Sequence, residues 1–371
     1  MSDIIAIRMP KWGLSMQEGA IIEWLKREGD AIGVGDDLVE IETSKITNVC
    51  ESPHAGVLRK VVAKSGEKLP VGALMGVLAE PSVGDQDIAD FIDAFQANFT
   101  PEADEEGSAT GLKLSMVEAG DRALRVGRIG EGDGTPVVLI HGYSGDLNSW
   151  MFNVEALADR APVIAIDLPG HGGSSKDVGD GSLKMLAQTV ASALSALGVD
   201  RAHLVGHSLG AAVAVRLAAD QPGLPASLTL IAPAYLSAAP ANDGFLLGVI
   251  EAQQARDLKP VLQMLVADPG AISKDMVEDM LKFKRTDGVE DALSLIRDRM
   301  VAGDDARALA RDLSETGPAL VIASRNDLIV GAPDEAALPA GYRVVWIDEA
   351  GHMPHLEQAA TVNALLAEAI S

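Results

Sequence analysis

The sequence predicts a two-part protein, in which a small all-β sandwich precedes a larger α/β domain with a mainly parallel sheet, helices on both faces and a helical cap. In residues 1–80, short apolar stretches are separated by Gly-Asp, Gly-Glu and Ser-Pro pairs, which is typical of an antiparallel sandwich. In residues 112–371, apolar runs alternate with helical stretches, which indicates a parallel sheet covered on both faces. Between about 235 and 315 the alternation gives way to several helices, as in a cap over an active site.

Composition excludes several classes of protein. The chain has 371 residues, 47% hydrophobic and 23% charged, which suits two or three globular domains. Nucleic acid and anionic membrane would be repelled by the formal net charge of −24, so we expect neither as a partner. No apolar run is long enough to span a membrane, and the N-terminus lacks a signal-peptide pattern. The single cysteine, Cys50, excludes an internal disulfide, speaks against a cysteine-based metal site and favours a reducing cytoplasm.

An internal repeat in residues 1–80 singles out one lysine. Thirty-seven positions separate Gly19 from Gly56 and Gly29 from Gly66. A sandwich with two similar halves needs a reversal where the halves join, and Lys45 falls at that point. The reversal would hold Lys45 out in solvent, where it could carry a covalent arm. The alternative is an ordinary surface lysine.

Residues around this repeat resemble the lipoyl domains of 2-oxo acid dehydrogenase complexes, over essentially all of 1–80. Biotin carrier domains share the fold, but their lysine lies between methionines, whereas Ser44 and Ile46 flank Lys45. The resemblance therefore implies lipoate attached covalently to Lys45, where it would accept an acyl group and deliver it as a thioester. The matching segments are Met9-Pro10, Gly19, Gly29-Asp30, Gly35-Asp36, the run 41–45 and the run 51–56.

The segment 81–111 contains eight acidic residues and no Lys or Arg, which predicts a solvated linker between the domains. A docking strip for a basic partner is the alternative. Five apolar residues recur at helical spacing within it and predict a short amphipathic helix. We expect this helix to pack on a neighbouring domain or to bind another subunit. The apolar residues are Ile88, Phe91, Ile92, Phe95 and Phe99.

A nucleophilic serine is predicted in the α/β domain. The run 206–210 reads Gly-His-Ser-Leu-Gly and stands between the apolar strand 202–205 and a helical stretch. Glycines on both sides of Ser208 would relieve crowding at a strained strand-to-helix turn, which would raise the hydroxyl at the carboxyl edge of the sheet. The other predicted strands are 136–140, 163–166, 228–231, 319–322 and 344–347.

Three further segments supply partners for Ser208. Tyr143 follows the strand 136–140, so the backbone N–H groups of Leu209 and Tyr143 are candidate oxyanion donors. Asp327 follows the strand 319–322, and His352 follows the strand that ends at Ile347. Because carboxyl ends of parallel strands share one edge of a sheet, these groups are predicted to meet there.

The order Ser208, Asp327, His352 resembles that of the α/β-hydrolase family, and the resemblance covers about 112–371. It implies a serine nucleophile, a histidine base and an aspartate that holds the imidazole. Some members place the acid one strand earlier, where this chain has no carboxylate, and Asp348 is a runner-up acid. Other histidines are assigned structural roles: His171 and His207 shape loops, and His355 is a surface or packing residue.

The two-part layout resembles the acyltransferase component of acetoin dehydrogenase complexes. That resemblance implies acetyl transfer from acetylated dihydrolipoyl-Lys45 to coenzyme A, with a thiamine diphosphate-dependent acetoin-cleaving component and dihydrolipoyl dehydrogenase as partners. The His-x-x-x-Asp-Gly motif of ordinary dihydrolipoyl acyltransferases is not found in the sequence, and no small subunit-binding domain follows the lipoyl domain.

Several alternatives stay open. The chain could be an esterase or thioesterase that carries a lipoyl domain, or a lipoylated carrier whose hydrolase-like domain only docks partners. The acceptor thiol could also attack the donor directly, without an acyl-serine. Acyl specificity, docking segments and a homo-oligomeric assembly are not readable from the sequence. Candidate phosphate contacts for coenzyme A are Lys259, Lys282, Lys284 and Arg285.

Overall fold

The computed structural model describes residues 4–10, 18–42, 47–52, 54–99, 112–130, 132, 134–237 and 240–371. The chain divides into two compact units, Met1–Glu105 and Glu106–Ser371. Lys45 lies outside the described residues. No helix in the described ranges is both long enough and apolar enough to cross a membrane.

The first unit contains two four-stranded sheets that enclose one apolar core. The first sheet has the strand order β1-β8-β6-β3, and the second has the order β5-β4-β2-β7. Ile21, Leu38 and Leu58 are among the fully buried residues of this core. The antiparallel sandwich predicted from the sequence is confirmed. Its strands are β1 (Ile4–Arg8), β2 (Glu18–Trp24), β3 (Ala31–Ile32), β4 (Asp37–Glu42), β5 (Thr47–Glu51), β6 (Gly56–Val61), β7 (Lys68–Pro70) and β8 (Leu74–Ala79).

The sequence repeat corresponds to a repeat of strands. Exchanging β1 with β5, β2 with β6, β3 with β7 and β4 with β8 converts one sheet order into the other. Equivalent hydrogen bonds obey the same offset: the Gly29 N–H donates to the Leu58 carbonyl at 2.7 Å, and the Gly66 N–H donates to the Ile21 carbonyl at 2.7 Å. The two halves therefore have the same local structure as well as similar sequences.

The strands that flank the lysine run pair with each other. β4 and β5 are antiparallel, with Glu42 opposite Thr47 and Ile41 opposite Asn48. The paired residues Glu42 and Thr47 are thus the described ends of the two strands on either side of the lysine run.

A helix follows the sandwich, as the apolar spacing in 81–111 predicts. Helix α1 (Asp85–Asn98) packs its apolar side on the first sheet, where Ile88 is buried beside Val77. The Arg59 guanidinium fixes the segment that precedes the helix, because it donates 2.9 Å hydrogen bonds to the carbonyls of Glu80 and Val83. The helix thus belongs to the first compact unit, and its packing partner is the sandwich.

The two glycines related by the repeat have left-handed backbones, with φ of +97° at Gly29 and +87° at Gly66. Replacing Gly66 by alanine should destabilise the first unit by about 1 kcal/mol, because a Cβ is disfavoured at this φ. Hydrogen–deuterium exchange of the full chain should show roughly fivefold less protection in β2 and β6. Gly33→Ala, at a glycine without a positive φ, is the matched control. Equal protection in both variants would contradict the expected strain.

The second unit is built on an eight-stranded sheet with the order β16-β15-β14-β13-β11-β12-β10-β9. The six strands from β11 to β16 are mutually parallel, whereas β9 and β10 are antiparallel additions at one edge. The mainly parallel sheet is confirmed, although β9 and β10 were not predicted from the sequence. The strands are β9 (Lys113–Ala119), β10 (Arg122–Ile129), β11 (Val137–Ile140), β12 (Val163–Ile166), β13 (Ala202–His207), β14 (Pro225–Ile231), β15 (Ala319–Ser324) and β16 (Tyr342–Ile347).

Helices cover both faces of this sheet. Successive side chains of a strand point to opposite faces, so Val138 and Leu139 of β11 enter two different core clusters. On the Val138 face lie α3 (Leu183–Ala196) and α4 (Leu209–Asp220). On the Leu139 face lie α2 (Val154–Ala158) and α11 (Ala359–Ala369), with the short α10 (Pro354–Glu357) before it.

In the described residues, five α-helices lie between β14 and β15, in the region where the sequence predicts a cap. Two of them, α6 and α7, pack around Leu258 and Val277 in a small core of their own. Lys284 is buried in this region and its ammonium donates to the Ala252 carbonyl, so this lysine does not offer a free charge to a phosphate. The helices are α5 (Asp243–Glu251), α6 (Ala255–Gln263), α7 (Lys274–Lys284), α8 (Val289–Ala302) and α9 (Asp304–Asp312).

Candidate active site

Ser208 lies at the turn between β13 and α4 in a strained backbone conformation. Its φ is 53° and its ψ is −116°, outside the regions that residues with a side chain usually adopt. Such strain persists only where the surroundings enforce it, and it is frequent at functional sites. Here the Ser208 N–H donates to the Ile231 carbonyl at 2.9 Å, which ties the turn to the neighbouring strand.

The two glycines of the serine motif are required by close packing. A Cβ at Gly206 would lie 2.4 Å from the Gly210 carbonyl oxygen, and one at Gly210 would lie 2.2 Å from the Ile140 carbonyl oxygen. Neither distance is tolerable, and the opposing atoms are backbone. The strand, the turn and the helix can therefore approach each other this closely only with glycine at both positions.

His352 and Asp327 meet at the carboxyl edge of the sheet. The His352 Nδ1 lies 2.8 Å from the Asp327 Oδ2, and both side chains are buried. The other carboxylate oxygen, Oδ1, accepts from the N–H groups of Ile329 at 2.8 Å and Val330 at 3.0 Å. Since Nδ1 faces the carboxylate, Nε2 is the nitrogen left for a proton transfer.

The environment of Asp327 favours its charged form. Burial by itself would raise the pKa of this carboxyl, but the His352 imidazole and the two backbone N–H groups more than offset it, and the pKa lies below its ordinary value. The runner-up acid, Asp348, is exposed and pairs with Arg325 at 3.4 Å. Asp327 is therefore the carboxylate that holds His352.

The loop after β11 lies directly beside Ser208. A Cβ at Gly142 would come within 3.0 Å of the Ser208 Cβ, so the loop has no room for a side chain there. In the described part of the chain, the N–H groups of Tyr143 and Leu209 have no hydrogen-bond acceptor. Two free donors on either side of a serine turn can stabilise an oxyanion.

Two buried histidines shape this loop. The His171 Nε2 accepts from the Ser144 N–H at 3.0 Å, and the His141 Nε2 accepts from the Leu168 N–H at 3.0 Å. Each ring uses Nδ1 to donate to a backbone carbonyl, so both imidazoles are neutral. Burial lowers the pKa of His171 to about 3 and also lowers the pKa of His141.

His207 contacts the proposed base, His352, and His355 contacts His207. The His207 Nε2 donates to the His352 carbonyl at 2.8 Å, and burial lowers the pKa of His207 well below its ordinary value. The ring of His355 packs 4.5 Å from the ring of His207 and 4.8 Å from that of Trp150, measured between centroids. His355 is thus a buried packing residue.

One residue of this site escaped the sequence analysis. Glu357 lies at the end of α10, and its carboxylate accepts hydrogen bonds from the N–H groups of Gly351 at 2.8 Å and Met353 at 3.2 Å. These two residues flank His352. Glu357 stands only five positions after His352 in the sequence, but a carboxylate that bonds to backbone N–H groups has no partner side chain by which the sequence could reveal it.

Comparison with known proteins agrees with this architecture. The alpha/beta hydrolase family matches residues 137–365, and a family described as biotin-requiring enzymes matches residues 5–78. Among solved structures, a 2-hydroxy-6-oxo-6-phenylhexa-2,4-dienoate hydrolase from Rhodococcus sp. strain RHA1 is similar, with a TM-score of 0.62 and 22% identity. The match covers 69% of this chain and 98% of the hydrolase, and it shows the fold alone.

Two relatives match both units in one alignment. A dihydrolipoyllysine-residue acetyltransferase component of an acetoin cleaving system from Pseudomonas putida is 44% identical over 98% of this chain and 97% of its own length. A protein of the same description from Cupriavidus necator is 41% identical over 98% of this chain and 96% of its own length. The chain therefore belongs to the family of dihydrolipoyllysine-residue acetyltransferase components of acetoin cleaving systems.

Proposed function

We propose that this chain transfers an acetyl group from a dihydrolipoyl arm on Lys45 to coenzyme A, with Ser208 as the nucleophile. The observation that carries the proposal is the near full-length identity of 44% to an acetyltransferase component that matches both units. The contact of 2.8 Å between His352 and Asp327, together with the contact of His352 with His207, the neighbour of the strained Ser208, supports a serine mechanism.

The first unit supports attachment of lipoate at Lys45. Glu42 and Thr47, which bound the lysine run, pair across two antiparallel strands. Lys45 lies between Ser44 and Ile46, which favours lipoate over biotin. An amide bond to the lysine would hold the group, which supplies a thiol that carries the acetyl group as a thioester. A tether raises the effective concentration of such an arm at the second site.

In the first half-reaction, the Ser208 Oγ attacks the thioester carbon while the His352 Nε2 takes the hydroxyl proton. The N–H groups of Leu209 and Tyr143 stabilise the oxyanion that forms on the acetyl oxygen. The carbon–sulfur bond then breaks, and the departing thiolate receives the proton from His352. Throughout the step Asp327 holds the imidazole and stabilises its positive charge. Ser208 is left as an acetyl ester.

In the second half-reaction, His352 removes the proton from the thiol of coenzyme A, and the thiolate attacks the acetyl ester. The carbon–oxygen bond breaks, Ser208 recovers its proton from His352, and acetyl-coenzyme A is released. Water could attack the same ester, which would release acetate. The helices between β14 and β15 are proposed to act as a cap that keeps water out.

We propose the other components of the system as partners: the thiamine diphosphate-dependent component that cleaves acetoin, and dihydrolipoyl dehydrogenase. The relatives named as components of acetoin cleaving systems support membership of such an assembly. We further propose a lipoyl domain at 1–80, a catalytic domain at 112–371 with its cap at about 235–315, and an acidic linker between them. The single cysteine supports a reducing compartment, and we propose the cytoplasm.

Free acetyl-dihydrolipoamide tests the proposed activity. In the presence of coenzyme A, the full chain should form acetyl-coenzyme A, and acetate should be the minor product. Both products are measured by chromatography, with and without coenzyme A. Equal release of acetate under both conditions, without acetyl-coenzyme A, would instead show a thioesterase.

A further inference from the structure

The Glu357 carboxylate joins two segments that lie far apart in the chain. Its Oε1 accepts from Gly351 and Met353, on either side of His352, at 2.8 and 3.2 Å. Its Oε2 accepts from the Ala267 N–H at 2.7 Å. In the described ranges no lysine or arginine pairs with this carboxylate, so its bonds are to backbone N–H groups alone. One side chain thus bridges the histidine loop, defined as residues 350–353, and the cap segment 265–267.

The histidine loop and the cap segment also contact each other directly. The His352 N–H donates to the Leu265 carbonyl at 2.8 Å. A Cβ at Gly351 would lie 2.7 Å from the Val266 carbonyl carbon, so the two backbones are in close contact. The cap segment follows α6 directly and places Val266 in the apolar core that α6 shares with α7. The backbone of His352 is therefore held against the cap.

A second hydrogen bond joins the cap to the loop after β11, the other loop beside Ser208. The Tyr143 hydroxyl donates to the Leu293 carbonyl of α8 at 3.1 Å. Since the Tyr143 N–H is a proposed oxyanion donor, both loops that flank Ser208 contact the cap. The histidine loop alone is joined through a charged side chain that accepts three backbone hydrogen bonds.

We propose that Glu357 is a positioning residue that holds the histidine loop and the cap segment together, so that the imidazole stays aligned while the cap excludes water. This inference rests on the proposed acyl transfer through Ser208. A shift of about 1 Å at a reacting group can cost roughly a hundredfold in rate. Loosening the bridge would therefore slow attack by the thiol of coenzyme A and admit water to the acetyl ester.

Glu357→Gln tests the bridge. A glutamine oxygen can still accept from the histidine loop, but its amide nitrogen would face the Ala267 N–H, so the link to the cap is lost. The ratio of acetyl-coenzyme A to acetate should fall about tenfold, the size expected when a hydrogen bond to a charged group is replaced. Turnover number should fall, while KM for acetyl-dihydrolipoamide changes little.

The matched control is Glu349→Gln. Glu349 is an exposed carboxylate just before the same loop, and its side chain has no hydrogen bond in the described residues. Rates are expressed per active site titrated with a fluorophosphonate, because the product ratio and the titrated rate do not depend on how much protein folds. A lower ratio in Glu357→Gln alone supports the proposal.

Two results would overturn it. One is an unchanged product ratio per titrated site in Glu357→Gln, even if less protein folds. The other is an equal change in Glu349→Gln. Failure of the proposed function itself looks different, because the unsubstituted chain would then form no acetyl-coenzyme A.

Discussion

Replacing Ser208 by alanine should lower the turnover number for acetyl-coenzyme A formation by about 10⁴- to 10⁶-fold. The reason is that the hydroxyl supplies the oxygen that bonds to the acetyl carbon, and alanine has no such oxygen. Acetyl-coenzyme A is measured by chromatography, with free acetyl-dihydrolipoamide as the donor. The substitution should not unfold the turn, since alanine is smaller and the N–H of residue 208 keeps its bond to Ile231.

Ser195→Ala, at an exposed position of α3, is the control for a serine substitution in the same unit. It should keep the full rate. A full rate in Ser208→Ala would rule out the serine mechanism and favour the alternative in which the second unit only docks partners. A single turnover with labelled donor separates the two remaining routes: a labelled Ser208 peptide supports the covalent route, and its absence favours direct attack by the thiol.

Replacing Lys45 by arginine should abolish lipoylation and, with it, all acetyl transfer that depends on the attached arm. Arginine keeps the positive charge but has no amine that can form the amide bond. Transfer from free acetyl-dihydrolipoamide should continue at the wild-type rate when that donor is supplied at millimolar concentration, the effective concentration that a short tether provides. Intact mass of protein expressed with lipoate, together with reconstituted acetoin-dependent formation of acetyl-coenzyme A, measures both effects.

Lys64→Arg, at an exposed turn between β6 and β7, is the control for Lys45→Arg. The Lys64 variant should be lipoylated and active. An unmodified wild-type protein, or a lipoylated Lys45→Arg, would refute the assignment of the carrier lysine. Loss of transfer from the free donor in Lys45→Arg would show that the lysine affects the second unit in some other way.

Most of the fold could be predicted because its signals are local. The 37-residue offset indicates the two halves of the sandwich, and six continuous apolar runs indicate the parallel strands. The strands β9 and β10 were missed because both mix charged with apolar side chains, as in Lys113–Ala119. A strand that is buried on one face only gives no continuous apolar run.

Some residues of the candidate site could also be predicted from local signals, and others could not. Ser208, Asp327 and His352 each follow a predicted strand, and the sheet brings Asp327 and His352 within 2.8 Å. By contrast, Glu357 and the imidazoles of His141 and His171 bond to backbone groups of other segments. The position of a backbone N–H in space depends on the whole tertiary structure, so no pattern of residues in the sequence indicates such contacts.

The strand exchange in the first unit has a consequence for its folding. The first half contributes β2 and β4 to one sheet but β3 to the other, and the second half contributes β6 and β8 to one sheet but β7 to the other. The halves are therefore interlocked, and neither can complete a sheet without a strand from its counterpart. The sheet that contains β4 and β5, the strands on either side of the lysine run, is complete only once β7 has been made, so a nascent chain that ends at residue 52 lacks the finished support for these two strands.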